Sequence, residues 1–578
     1  MVGYLYKNMS DTHDHEEKAE THEILSPIVV DEGAPMRELL PHIQKMLDDY
    51  ISGLNSAKKA VTPIHIDDIA LRVAKFYEMI RKVVDWKEDN ALRRSATERV
   101  LKRTLFPKLS KLTLTPDVDT YRVAYTVTAD LIRGGHLLND EIPEESVMVI
   151  ETALKKYLYI LAHAKFTKFE QIPLKQQINF AMFIIELAAC EIEEILTTPV
   201  KERVLLETMT KMMSDRIRVR PDGTMNDDEK KTQVYIAVCR TLFDLDDTFI
   251  MAQLIKFSYR SWSMPSEEDL AVYAKDIPAL WEGSSHVLEH PLARQFYAIC
   301  ERMDTVYMLI GDLLDTYKDR TEELQKLFGN KERYLEEITT AYDKRYHSLK
   351  SRLMRLAIFS TLSVFLSNWA TFFIVEIPLA SIFYEGFNWF TATIDFVVPT
   401  VVMALLVSII KAPGAENIKS VLTAVTQSTY SGEKMMLYDV YLKKRRNKFF
   451  NLFASILYTF MMFGVLGGAG YIFYIAKLPI TSVIFDTFTI ALTFFAAVLI
   501  RNKSKELTVD DSSSIFEFFM DMLSVPIARV GSFLATKWKE YNIVAILFTF
   551  LIETPMVVIL DFIESWSKYL KERRADLH

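Results

Sequence analysis

After Arg355 the chain enters twenty residues without a charge, LAIFSTLSVFLSNWATFFIV (356–375). As an α-helix such a run is about 30 Å long, the thickness of a bilayer's hydrocarbon core. In lipid the backbone must satisfy its own polar groups, which restricts a single spanning segment to helix. Comparable runs follow near 387–410, 449–475 and 479–500. The sequence therefore predicts an all-α, polytopic membrane protein with four spans in residues 356–500. A last apolar stretch, 541–563, has a different character. Asn542, Thr549, Glu553, Asp561 and Glu564 fall close to one helical face, which predicts a helix in the interface or packed on the bundle, with a fifth span as the alternative. Glu517, Asp521, Ser524 and Ser532 give the preceding segment the same two-faced pattern. Residues 501–578 are thus read as C-terminal amphipathic helices.

Positive charge near the spans sets the expected orientation. Arg352 and Arg355 precede the first span. Lys411, Lys419, Lys434 and the cluster LKKRRNK (442–448) lie between the second and third, and RNKSKE (501–506) follows the fourth. The other connections carry Glu376, Glu385 and Lys477. This places the first 350 residues in the cytoplasm and the chain in the cell membrane as a multi-pass protein.

Only 17 Gly and 19 Pro occur in 578 residues, too few for a turn-rich β fold, so the N-terminal part also reads as helical. Residues 1–35 read as an acidic, disordered tail without a signal peptide; His13, His15 and His22 fall in it. Residues 36–305 follow as an irregular helical domain. Its helices are expected around Leu39 to Leu54, from about Asp67, and over 143–164 and 174–196. IRVRPDGTM (217–225) suggests a short hairpin about Pro221, Asp222 and Gly223. From 306 to 355, Ile310, Leu314, Tyr317, Leu324, Phe328, Leu335, Ile338, Tyr342, Leu349 and Leu353 form a heptad seam. It predicts a coiled-coil-like stalk, pairing with a second copy or with its own domain. Gly329 and Asn330 are its expected interruption. Leu314, Leu324, Leu335 and Leu349 are the self-association candidates.

Cys190, Cys239 and Cys300 are single and unclustered, which points to reduced thiols and no zinc ribbon. A net charge of −8 gives no whole-chain case for nucleic acid. The basic run 93–111 gathers Arg99, Lys102 and Arg103; anionic lipid is its expected partner if it acts beyond a solvated helix face.

Two stretches carry local resemblances to enzymes. LFDLDDTFI (242–250) resembles the first motif of haloacid dehalogenase-like hydrolases. That likeness implies Asp244 as nucleophile, Asp246 as acid/base and Thr248 as a phosphate-side support. Yet Val234, Val238, Leu242, Leu245, Phe249 and Ala252 step at helical spacing through it, so a helix face is the preferred reading. GDLLD (311–315) only loosely resembles that family's last acidic motif. HVLEH (286–290) is similar to the H-x-x-E-H of inverted zinc peptidases, which would make His286 and His290 ligands and Glu289 a base. Pro291 argues against helical geometry at His290.

Asp395 and Asp486 fall in or near the second and fourth spans; with Glu553 they are candidates for an ion or proton pathway. Gly464 and Gly468 form a G-x-x-x-G expected to pack closely on a neighbour. The leading expectation is a non-enzymatic, membrane-anchored helical scaffold or adaptor without cofactor. Its expected partners are the lipid bilayer, further copies of itself and a cytoplasmic protein. The alternative is an ion-coupled channel or transporter, and a membrane-tethered phosphatase or zinc hydrolase comes third.

Overall fold

The computed structural model describes residues 38–57, 63–64, 89–105, 118–166, 173–197, 199–259, 261–378, 389–433, 436–442, 448–475, 480–509, 527–536 and 566. The tail 1–35, the helix expected from Asp67, and the segment 541–563 with Glu553 lie outside them. Among the described residues the chain is all-helical apart from one two-stranded ribbon.

The body begins with α1 (Pro41–Ala57), α2 (Asp89–Leu105), α3 (Thr120–Arg133) and α4 (Glu144–His163). Pro143 precedes α4, Glu144 and Glu145 occupy its first turn and His163 its last, in line with the helix dipole. Next come α5 (Leu174–Thr197), α6 (Val200–Arg216), β1 (Ile217–Arg220) and α7 (Asp227–Leu242). Asn226 caps α7 by accepting from Asp228 N–H. Then follow α8 (Asp247–Ser258), α9 (Glu267–Leu288), α10 (Ala293–Cys300), α11 (Asp304–Thr316) and α12 (Thr321–Gly329). Ser266 and Asp269 close a capping box on α9.

α13 (Lys331–Thr371) runs unbroken for 41 residues, about 60 Å, and continues into a π-helical segment, Phe372–Glu376. After it come α14 (Trp389–Ser408), α15 (Asn417–Thr429), β2 (Tyr438–Tyr441), α16 (Lys448–Ile475) and α17 (Ile480–Ser504). The short α18 (Ile527–Thr536) ends the described chain save for Trp566.

Two properties divide α13. Its first half buries Tyr334, Ile338, Tyr342, Leu349 and Leu353 against the body. Its second half exposes Leu356, Ile358, Phe359, Leu362, Leu366 and Trp369. α14 packs on α13 and α17, and α16 packs on α17. These helices leave large apolar side chains outward, with Phe460 of α16 at 75% exposure. Helices stand at all four expected span positions. Two, within Lys331–Ile374 and Ser482–Ser504, are long and apolar enough to cross a membrane; the apolar stretches Val397–Ser408 and Thr459–Ile475 are shorter. α18 packs against this group. A Cβ on Gly531 would sit 2.7 Å from Phe495 Cβ of α17, so only glycine allows that approach.

Three expectations need correction. The heptad seam is not one stalk. It breaks at Tyr317–Arg320 and again at Asn330, which caps α13 by accepting from Arg333 N–H. Leu314, Leu324 and Leu349 are buried in the chain's own core and Leu335 packs against it, the second of the two pairings expected of the seam. The hairpin is absent: β1 pairs in parallel with β2, Ile217 beside Tyr438 through Arg220 beside Tyr441. Gly464 and Gly468 do not mediate close packing among the described residues, since an added Cβ meets nothing there; Gly470 is the glycine that approaches Thr487 and Val483 of α17.

Candidate functional site

A set of specific contacts joins the helical body to the apolar helices among the described residues. Residues 409–442 leave α14 and return to α16, yet they join the body at several separate points. α15 buries Val421, Ala424 and Val425 at helical spacing. Leu40 N–H donates to Thr429 C=O (2.9 Å) and Ser431 N–H to Glu38 C=O (2.9 Å), so the start of α1 pairs with the end of α15. Tyr334 OH lies 3.1 Å from Thr429 Oγ1, and Tyr430 OH donates to Phe328 C=O (3.0 Å). Gln295 satisfies both main-chain groups of Tyr441, donating to its C=O and accepting from its N–H.

Arg216 ties the same segment to α6. The side chain is 1% exposed and donates to Gln427 C=O at 2.7 Å. Burial pushes its guanidinium below the ordinary arginine value. It sits at the C-terminal ends of α6 and α15, whose carbonyl partial charges favour a cation.

The segment after α17 is fixed as well. Asn417 donates to Tyr342 OH (3.0 Å) and Leu507 C=O (2.6 Å), and accepts from Val509 N–H (3.3 Å). Arg352 of α13 pairs with Glu506. One continuous buried cluster therefore holds Leu40, Ile43 of α1, Met403 and Val407 of α14, Val421 and Val425 of α15, Ile500 of α17, and Leu507. Motion of an apolar helix end must strain the body, because interiors are close-packed.

A second buried polar node lies wholly inside the body. Lys156 of α4, 2% exposed, donates to both oxygens of Glu191 (2.7 Å each) and to Trp262 C=O (2.8 Å). Tyr157 OH (2.6 Å) and Trp262 Nε1–H (3.0 Å) complete the Glu191 shell. Burial pushes Lys156 down and Glu191 pulls it back. A buried lysine can serve as a nucleophile, but all three donors of this ammonium are committed, and the arrangement is a lock between α4, α5 and the turn at Trp262.

The two enzyme-like motifs do not take the backbone settings that their resemblances require. A helix, not a strand, leads into LFDLDDTFI, and the helix breaks at Phe243 rather than continuing. Asp244 has φ +48° in the connection, within the left-handed region that Asp tolerates. Asp246 caps α8 by accepting from Phe249 N–H (2.9 Å) and pairs with Arg94. Thr248 donates to Glu186 (3.3 Å) and Asp247 pairs with Arg240 (2.7 Å). In HVLEH, α9 stops at Leu288, so His286 and His290 do not share successive helical turns. His290 Nδ1 accepts from Leu292 N–H, and its Nε2 lies 3.4 Å from Glu229. Glu289 is the C-cap. No metal-holding group of His, Cys, Asp and Glu occurs among the described residues.

The basic run is correspondingly less free than its sequence implies. Lys102 pairs with Glu98 and lies 3.6 Å from Glu186, and Arg103 pairs with Asp130; Arg99 shares their helix. Asp486 is 3% exposed on α17. Asp395 lies on α14, and its side chain is outside the described set. All three thiols are buried, and burial pushes Cys239 up to about 12. No family model, curated protein or solved structure matches the chain.

Proposed function

We propose that the chain is a membrane-anchored, polytopic helical scaffold without catalytic activity, its body on the cytoplasmic face. One observation carries this reading: residues 409–433, 436–442 and 505–509, which leave the apolar helices, share a single buried core with α1, α6, α11 and α13. That construction favours a rigid platform held at a fixed attitude to the bilayer. The outward apolar side chains on α13, α14, α16 and α17 support the membrane part, since so large a contiguous patch is unfavourable in water. The lysines and arginines of 442–448 and 501–505 support the cytoplasmic assignment. Native mass spectrometry of the full chain in mild detergent, with peptide identification, tests the reading. The expected result is a stoichiometric soluble protein held by the helical body. A closed homo-oligomer carrying no other protein would contradict it.

A second reading, an ion-coupled channel or transporter, is favoured by Asp486. A carboxyl group buried within the apolar stretch of a helix is costly in hydrocarbon unless it serves water, an ion or a partner. This reading expects cation or proton flux in proteoliposomes, reduced at least tenfold in Asp486→Asn. Flux that is absent from the wild type excludes it.

A further inference from the structure

Met436, Leu437, Tyr441 and Leu442 are large apolar side chains, and each is about half exposed. They belong to β2 and its flanks, where the backbone is fixed. β2 buries Val440 and turns Tyr441 outward, the alternation of a strand. Leu442 N–H donates to Arg220 C=O (3.0 Å), in addition to the bonds between Gln295 and Tyr441. The exposure is therefore built into the ribbon.

A chain of contacts sets the level of this ribbon. Tyr438 OH lies 3.9 Å from Met303 Sδ, just before α11. The Thr305 hydroxyl donates to Glu506 C=O (3.2 Å), and Glu506 pairs with Arg352 of α13. From Arg352 to Leu356, where the exposed apolar half of α13 begins, is about 6 Å along the helix. The headgroup layer beside a hydrocarbon core is about 5–8 Å thick, so the ribbon neighbours that layer. From the other side, Leu442 reaches Lys448, the start of α16, through a link of about 20 Å at most.

Charge points to the kind of lipid. On and beside the ribbon the signs balance. Arg220 pairs with Asp222 and lies 3.6 Å from Asp439, Arg218 stands beside Asp439, and Arg302, near Tyr438, follows Glu301 in sequence. The surplus comes next in the chain, where Lys443, Lys444, Arg445, Arg446 and Lys448 occur without an acid. Apolar and aromatic side chains beside a basic run suit the boundary between acyl chains and anionic headgroups.

We propose that residues 436–442, with the basic residues that follow them, form a docking surface for anionic phospholipid where α16 enters the bilayer. The apolar side chains enter the headgroup layer and the cations hold its phosphates. This rests on the membrane reading proposed above and adds to it a preference for lipid charge.

A fluorophore on Leu437→Cys, in the full chain reconstituted in phosphatidylcholine vesicles, tests the surface; the native thiols are buried. Phosphatidylserine or phosphatidylcholine with a spin label high on its acyl chain is titrated in as the quencher. Both should quench, and the phosphatidylserine probe should half-quench at a fraction about tenfold lower or less, since each basic residue near an anionic surface strengthens binding about fivefold. Raising salt on the same protein should remove that preference, because exposed charges are screened. Lys443→Gln with Lys444→Gln should reduce it several-fold. Tyr441→Ser with Leu442→Ser should lower quenching by both probes alike. No quenching at position 437 in a chain that resists carbonate extraction overturns the docking and leaves the membrane reading standing. Equal quenching by the two probes overturns the preference for anionic lipid. Release of the wild-type chain by carbonate would overturn the membrane reading and the docking together.

Discussion

Glu191→Leu is expected to cost the fold about 3–5 kcal/mol, the range for removing one partner of a buried ion pair. The carboxylate accepts four hydrogen bonds: two from Lys156, one from Tyr157 OH and one from Trp262 Nε1–H. Without it a 2%-exposed ammonium keeps only the Trp262 carbonyl and the faces of two aromatic rings, Trp262 at 4.3 Å and Tyr157 at 5.0 Å. Cation–π contacts supply about 2 kcal/mol when desolvated, less than the lost pair. Lys156→Met should be milder, because Glu191 retains Tyr157 and Trp262. The double variant should recover part of the loss, since an apolar replacement leaves no buried charge unpaired. Melts followed by tryptophan fluorescence measure all three. A Glu191→Leu cost below about 1 kcal/mol would place the node in contact with water and contradict its role as a lock.

The second large effect is expected in the apolar belt. Phe460 lies near the middle of α16 and is 75% exposed. If lipid covers that face, Phe460→Arg costs about 2.5–3.5 kcal/mol of insertion free energy. The membrane-integrated fraction resisting carbonate extraction should then fall several-fold. If water covers the face, the substitution exchanges an exposed ring for a soluble charge and extraction is unchanged. Tyr125→Arg, on an exposed face of α3, is the control and should be neutral. This comparison separates a lipid-facing belt from an apolar surface of any other origin.

Much of the helical body was legible in sequence because helical periodicity is local. Leu39 to Leu54, 143–164 and 174–196 became α1, α4 and α5 close to the expected bounds. The same periodicity misled wherever a break preserves the inward face. Ile310 to Leu353 point into one core on three helices, and residue spacing alone does not distinguish that from one long seam. At Phe243 the apolar step continues across a helix end for the same reason, since α7 and α8 line one core. The partners of the basic run, Asp130 and Glu186, come from other helices and leave no mark in its own stretch.

The junction was the least legible part. Its bonds join residues far apart in sequence: Arg216 with Gln427, Leu40 with Thr429, β1 with β2. One signal was present. Val421, Ala424 and Val425 recur at helical spacing between the lysines of the 411–447 connection, the mark of a helix that buries one face.

Sidedness of labelling tests the central claim, that the apolar helices cross a bilayer while the body and its joined connection stay on one face. The native thiols are buried, so a membrane-impermeant maleimide should report introduced cysteines over a low background. Gly414→Cys places the thiol where a Cβ meets open space, in the connection tied to the body. Glu385→Cys places it in the connection between the first two spans. In sealed intact cells the account predicts labelling at position 385 and none at 414, with the pattern reversed in inside-out vesicles. Labelling of both positions from the same side would contradict it.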